Sequence, residues 1–169
     1  MEALRHSLFA PSATSFMLIL GCAQAIEEMV RHRYSAKDEN GTPLVRHPYE
    51  PWNVPTDPKY AETLNKVYRS FKMFENVKEW TFMSMPLVWI FAIYGGTLPY
   101  MTDFIMDTII LGTGALYAYS NVLYIHGYVE SAEKRLPGFS LRKRIVFFWL
   151  FGCGASLLWS GLGRFGLVQ

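Results

Sequence analysis

Four long apolar windows constrain this chain more than any other feature of its sequence. They run from Leu8 to Ile26, Trp80 to Leu98, Phe104 to Ile125 and Ile145 to Leu162. A helix needs about 20 apolar residues to cross a bilayer, and each window is close to that length. With 51% hydrophobic residues in 169, a soluble helical bundle would struggle to bury so much apolar surface. The windows therefore predict an all-α membrane protein.

The expected architecture is a single four-helix membrane domain over residues 1–169. The predicted helices span about 8–34, 58–96, 101–136 and 140–163. Helix two is polar in its first half and apolar in its second, which predicts a long helix that projects from the membrane into the cytosol. The proline-rich loop 35–58 is either a cover over a binding site or an insertion without a role.

The distribution of basic residues predicts the orientation in the membrane. Of the 16 Lys and Arg residues, all but Arg5 and Arg164 fall between helices one and two or between helices three and four, when the polar ends of the helices are counted with these connections. The positive-inside rule then places both basic loops in the cytosol and both termini on the opposite, lumenal side. Within the second loop, Arg142, Lys143 and Arg144 form a basic cluster that we expect at the lipid surface.

Polar residues recur at helical spacing near the cytosolic boundary. Asn121, Tyr124, Tyr128 and Arg135 share one face of the predicted third helix, since each residue turns by about 100°. A second face, on helix two, consists of Arg69, Lys72, Asn76, Glu79 and Trp80. Either face could be a solvated helix end, and Arg31 at the end of helix one could be a topology anchor. Together, however, they form a candidate site for a small anionic ligand.

The residue types in these faces restrict the chemistry. They contain no histidine–carboxylate pair and no activated serine or cysteine, and the sequence shows neither a metal-ligand spacing nor a nucleic-acid motif. Arginine stabilises negative charge, and a thiol beside a guanidinium loses its proton more readily. The pattern therefore indicates anion binding and thiol activation, with no metal, rather than hydrolysis.

The segment GYVESAEKRLPGF, together with the preceding LY, resembles the third-helix segment of the MAPEG family (membrane-associated proteins in eicosanoid and glutathione metabolism). The similarity is greatest to the branch with type-2 microsomal glutathione transferase and leukotriene C synthase. In helix two, VYR followed by NVKEW is similar to the family's arginine and Asn-x-x-Glu-aromatic pattern. The resemblance implies a homotrimer in the endoplasmic reticulum or nuclear envelope, with glutathione as co-substrate between subunits.

The resemblance also implies roles for individual residues. Arg135 matches the arginine that activates the glutathione thiol, and Tyr124 and Tyr128 match tyrosines that contact glutathione. The other implied glutathione contacts are Arg31, Asn76, Glu79 and Trp80. Two alignments of helix two are open, one with Arg69 and one with Lys72 as the basic ligand.

Departures from the family pattern leave alternatives open. Phe74 stands where the family has a glutamine, and Asn121 replaces an arginine common in helix three. The first expectation is a glutathione transferase for lipophilic electrophiles, with leukotriene C synthase-like or lipid-hydroperoxide peroxidase activity as variants. The second is a non-catalytic, fatty-acid-binding adaptor similar to lipoxygenase-activating protein, which lacks the arginine that Arg135 matches. A third is a membrane scaffold whose arginines only fix topology.

Overall fold

The computed structural model describes residues 8–45, 58–131 and 133–167 of the chain. These residues form four α-helices: α1 (Phe9–Ser35), α2 (Pro58–Gly95), α3 (Asp103–Glu130) and α4 (Leu136–Arg164). Helix α1 packs against α2 and α3, and α4 packs against α3 and α2. Helices α1 and α2 begin and end within one residue of their predicted bounds.

Three of these helices are long and apolar enough to cross a membrane: α1, α3 and α4. Helix α2 does not belong to this set, because no stretch of it, including its second half, is both long and apolar enough. Large apolar side chains also point outward; Phe104, Phe151 and Leu158 are each at least 70% exposed. Apolar helices with such an apolar outer surface indicate a membrane protein.

Small residues allow the helices to approach closely. Thr14 of α1 donates a hydrogen bond from Oγ1 to the carbonyl of Ile110 on α3, at 3.2 Å, and it lies against Gly114. In the core, Trp149 stacks on Tyr117 with ring centres 5.5 Å apart, and its indole N–H donates to Thr113 at 2.9 Å. Close backbone contact and interhelical hydrogen bonds of this kind hold membrane helices together where the lipid supplies no hydrophobic drive.

The boundary between the third and fourth helices differs from the prediction. Helix α3 ends at Glu130, not at 136, because Ser131 adopts an extended conformation while its N–H still donates to the carbonyl of Gly127 at 3.0 Å. Pro137 and Gly138, predicted to break the chain after helix three, lie inside the first turn of α4. Proline suits a first turn because its missing N–H would have no intrahelical partner there.

The structure describes the connection after α1 as far as residue 45. Residues Lys37 and Pro43 form an isolated antiparallel bridge, and Ala36 and Val45 pack against Val67 of α2. The remainder of this loop, predicted either to cover a site or to have no role, is residues 46–57 and lies outside the described residues.

Gly138 marks the closest contact between α4 and α3. A Cβ atom at this position would collide with the backbone N of Tyr124 and would lie 2.8 Å from the carbonyl oxygen of Ser120. Backbone atoms cannot move aside as a flexible side chain can, so any side chain here forces the two helices apart.

We expect Gly138→Ala to lower stability by about 1–3 kcal/mol, the usual cost of overpacking. The matched control is Gly154→Ala, at a helical glycine with no atom within 4 Å of the added Cβ, which should be neutral or stabilising by up to about 1 kcal/mol. Thermal unfolding of both variants in detergent measures the difference. Equal stability of the two variants would contradict the close contact.

Candidate functional site

A tight chain reversal places Arg135 beside the end of α3. Gly127 has no side chain, and the carbonyl of Lys134 occupies the space that a Cβ would need there. The N–H of Lys134 donates to Ser131 Oγ at 3.2 Å, which closes the turn. Arg135 then forms the N-cap of α4, with its guanidinium carbon 4.8 Å from the centre of the Tyr128 ring.

The prediction that four polar residues share one face of the third helix is therefore wrong for Arg135. Asn121, Tyr124 and Tyr128 do belong to α3, whereas Arg135 follows the end of that helix. The Arg135 guanidinium nevertheless lies beside the tyrosines, because the chain folds back over Gly127. The grouping of the two phenols with Arg135 thus arises from the turn between helices and not from helical periodicity.

An inner cavity of about 220 Å³ lies between α2 and this reversal. Its lining residues are Asn76, Trp80, Tyr124, Arg135, Leu136 and Phe139. Asn76 Nδ2 donates to the Tyr124 hydroxyl at 3.1 Å, which fixes the phenol at the cavity wall. Trp80 and Phe139 meet edge to face with ring centres 5.9 Å apart. One wall is therefore polar and the other aromatic.

An outer cavity of about 210 Å³ shares Arg135 with the inner one and is also lined by Arg69, Tyr128 and Ser131. Arg69 donates to the backbone carbonyl of Glu130 at 3.2 Å, so the last turn of α3 holds its side chain in place. Two guanidinium groups face this cavity, and no carboxylate occurs among its described lining residues. The electrostatics favour an anionic ligand.

The remaining predicted site residues lie elsewhere in the described chain. Lys72 pairs with Glu75 at 2.8 Å, and the hydrogen bond and charge of Glu75 raise the pKa of this exposed lysine. Glu79 is exposed and does not line either cavity. Of the two alternative basic residues of helix two, Arg69 lines the outer cavity and Lys72 does not.

Arg31 is also separated from Arg135 within this chain. It forms ion pairs with Glu27 at 3.3 Å and Glu28 at 3.2 Å. With these residues and His126 it lines a third cavity, of about 180 Å³, between α1 and α3.

Arg142 was not expected at the site. The sequence predicts Arg142 at the lipid surface with Lys143 and Arg144, and this prediction is wrong. Arg142 is fully buried, while its two neighbours are exposed. Its guanidinium carbon lies 4.2 Å from the centre of the Tyr124 ring. Helical periodicity could have identified Arg142 as buried. One buried face of α4 carries residues at spacings of four, three and four: Gly138, Arg142, Ile145 and Trp149.

The two arginines enclose a pair of tyrosines. Tyr124 and Tyr128 meet edge to face with ring centres 5.3 Å apart; Arg142 covers the first ring and Arg135 the second. Cations over phenol rings are attracted to the π-electrons. This arrangement can hold an anionic ligand at Arg135 and Arg69, place its reactive group against the tyrosines, and accommodate an apolar partner beside Trp80 and Phe139.

Comparison with known proteins gives a partial match. No protein-family model matches the chain. An uncharacterized protein of Synechocystis is 33% identical over 75 residues, which are 44% of this chain and 47% of the relative. The chain thus spans about half the length of the curated relative that it matches.

The hydrogen bond between Asn76 and Tyr124 can be tested by a double-mutant cycle of Asn76→Ala and Tyr124→Phe. We expect a coupling of about 0.5–1.5 kcal/mol in the free energy of unfolding, the usual net contribution of a hydrogen bond. The control Glu79→Ala, on an exposed part of the same helix, should change stability by less than about 0.5 kcal/mol. Additive single-variant effects would show that the bond does not stabilise the site.

Proposed function

We propose that this protein is an integral membrane glutathione transferase that conjugates glutathione to lipophilic electrophiles. The observation that carries the proposal is the position of Arg135 on the common wall of both cavities, beside Tyr128 and facing Arg69. The MAPEG-like motifs around these residues supply the identity of the ligand. The cavities themselves support only a bound anion.

The proposed chemistry depends on stabilisation of a thiolate. The guanidinium of Arg135 favours the ionised form of a thiol held beside it, and the Tyr124 and Tyr128 hydroxyls are further donors near the sulfur. The thiolate attacks a carbon of the electrophile. With an epoxide, a carbon–sulfur bond forms, the carbon–oxygen bond breaks, and the resulting alkoxide takes a proton from solvent.

The two cavities suit the two substrates differently. Arg69 in the outer cavity matches a carboxylate of glutathione, and Arg135, which lines both cavities, is left for the thiol. The aromatic wall of Trp80 and Phe139 in the inner cavity suits an apolar co-substrate that enters from the lipid. Arg31 lines a different cavity, so its contribution to the same glutathione would come from a neighbouring subunit of the proposed homotrimer.

We also propose that helix α2 crosses the membrane as a fourth span through its apolar second half. Both basic connections then face the cytosol, where glutathione is abundant, and the membrane is the endoplasmic reticulum or nuclear envelope. The charge distribution supports this orientation, since the connection between α2 and α3 carries no Lys or Arg.

The transferase proposal predicts that Arg135→Ala lowers glutathione-dependent turnover of a generic aromatic electrophile by about 10²-fold, the usual cost of removing one stabilising donor. Turnover and ultraviolet absorbance of the bound thiolate are measured on the purified protein in detergent. The control is Lys134→Ala, at the residue next to Arg135 in sequence. It removes an exposed cation that pairs with Glu130 and should leave turnover unchanged.

These measurements, together with an assay of fatty-acid binding, separate the competing functions. Equal loss in both variants would remove Arg135 from the mechanism. An inactive wild type that still binds a fatty acid would overturn the transferase proposal in favour of the adaptor.

The proposed orientation predicts which residues are accessible from the cytosol. In a background with Cys22 and Cys153 replaced by serine, Asn40→Cys should react with a membrane-impermeant maleimide in sealed microsomes, and Thr97→Cys should react only after the membrane is opened. The reverse pattern would invert the topology. Reaction of both before opening would show that α2 does not cross.

A further inference from the structure

The guanidinium of Arg142 is buried without a hydrogen-bond partner among the described residues. Its side chain is 0% exposed, and none of its three nitrogens has an acceptor. A guanidinium keeps its proton in proteins. The interior therefore encloses a full positive charge with up to five unused donors.

Groups from three helices surround this charge. Arg142 comes from α4, and its guanidinium carbon lies 4.2 Å from the Tyr124 ring centre and 5.8 Å from that of Tyr117, both on α3. The ionisable groups that act on it are these two phenols and the half-buried Cys22 of α1. None of them is a carboxylate, so the described surroundings contain no counterion of the ordinary kind.

Another polar side chain near the guanidinium is also unsatisfied. Asn121 lies one turn from Tyr117 and from Tyr124 on the same face of α3, between the two rings that Arg142 covers. It is fully buried, and both ends of its amide are without a partner, while its Nδ2 lies against Gly21 of α1.

The rings do not compensate for this burial. Cation–π contacts recover only part of the cost of removing a charge from water, which amounts to several kcal/mol per ion. The unpaired amide of Asn121 adds to the cost. A partner that accepts several N–H donors and carries one negative charge would satisfy both the guanidinium and the amide Nδ2 of Asn121.

We propose that Arg142 and Asn121 form an internal site for one small monovalent anion of the size of chloride. A single enclosed cation favours a single negative charge, since a divalent ion would be left with a net charge in the interior. The guanidinium of Arg142 is fully buried against Tyr124 and Tyr117, which leaves no place for a bulky carboxylic acid such as a fatty acid. Although Arg142 contacts Tyr124 of the candidate site, the anion site does not depend on the transferase activity.

The test measures the thermal stability of the full-length protein in detergent at constant ionic strength. Chloride or bromide is titrated against gluconate, an anion too large for the enclosed site. We expect a saturable rise in Tm of about 5–10 °C at an anion concentration near 100 times Kd. In Arg142→Met this rise should disappear, whereas Arg144→Met, which removes the same charge from the exposed side of the helix, should retain it.

A Tm independent of the anion in the wild type would overturn the proposal and indicate enclosed water instead. An equal rise in the wild type and in Arg142→Met would overturn it too. Anion dependence that arises only in Cys22→Ser would identify the Cys22 thiolate as the counterion and also exclude the site.

A second measurement does not depend on whether Arg142→Met folds. Equilibrium dialysis of the wild-type protein with radioactive chloride should give one tightly held ion per chain. Arg142→Lys, which keeps the charge but has fewer donors, should weaken binding by at least about tenfold, because each lost charge-assisted hydrogen bond contributes about 1.5–3 kcal/mol. Absence of stoichiometric chloride would overturn the proposal.

Discussion

The close backbone contact between α3 and α4 determines the geometry of the whole site. Gly138 lets α4 lie directly on the backbone at Ser120 and Tyr124, and Gly127 lets the connecting turn fold onto α3. The first contact brings Arg142, one turn beyond Gly138, over the Tyr124 ring. The second brings Arg135 over Tyr128. A side chain at either glycine would displace an arginine from its tyrosine.

Helix α2 completes the site without a comparable close contact. Its residues Arg69, Asn76 and Trp80 lie at intervals of seven and four, so one face of the helix presents all three to the reversal between α3 and α4. The Asn76 hydrogen bond to Tyr124 and the Arg69 hydrogen bond to Glu130 join this face to α3. The polar half of α2 thus contributes recognition, while its apolar half contributes to the core through Val88 and Phe91.

The sequence predicts the helices and most of the site because those features depend on local periodicity. The windows at 8–26 and 80–98 identify α1 and the apolar half of α2. The helical spacing of Arg69, Asn76 and Trp80 is visible in the sequence and predicts that they share one face. The end of α3 could not be predicted, because Pro137 fits a first helical turn as well as a chain break. Arg142 was misassigned since three adjacent basic residues look alike in sequence, whereas on a helix they point in directions about 100° apart.

The two arginines that enclose Tyr124 and Tyr128 have different electrostatic consequences. Arg135 borders open cavities, where solvent or an anionic ligand screens its charge. Arg142 is enclosed, so its field is weakly screened at the ring of Tyr124, 4.2 Å away. An anion held at Arg142 would cancel much of that field. The positive potential that attracts a ligand to the outer cavity would then come chiefly from Arg135 and Arg69, the two cations that solvent can reach.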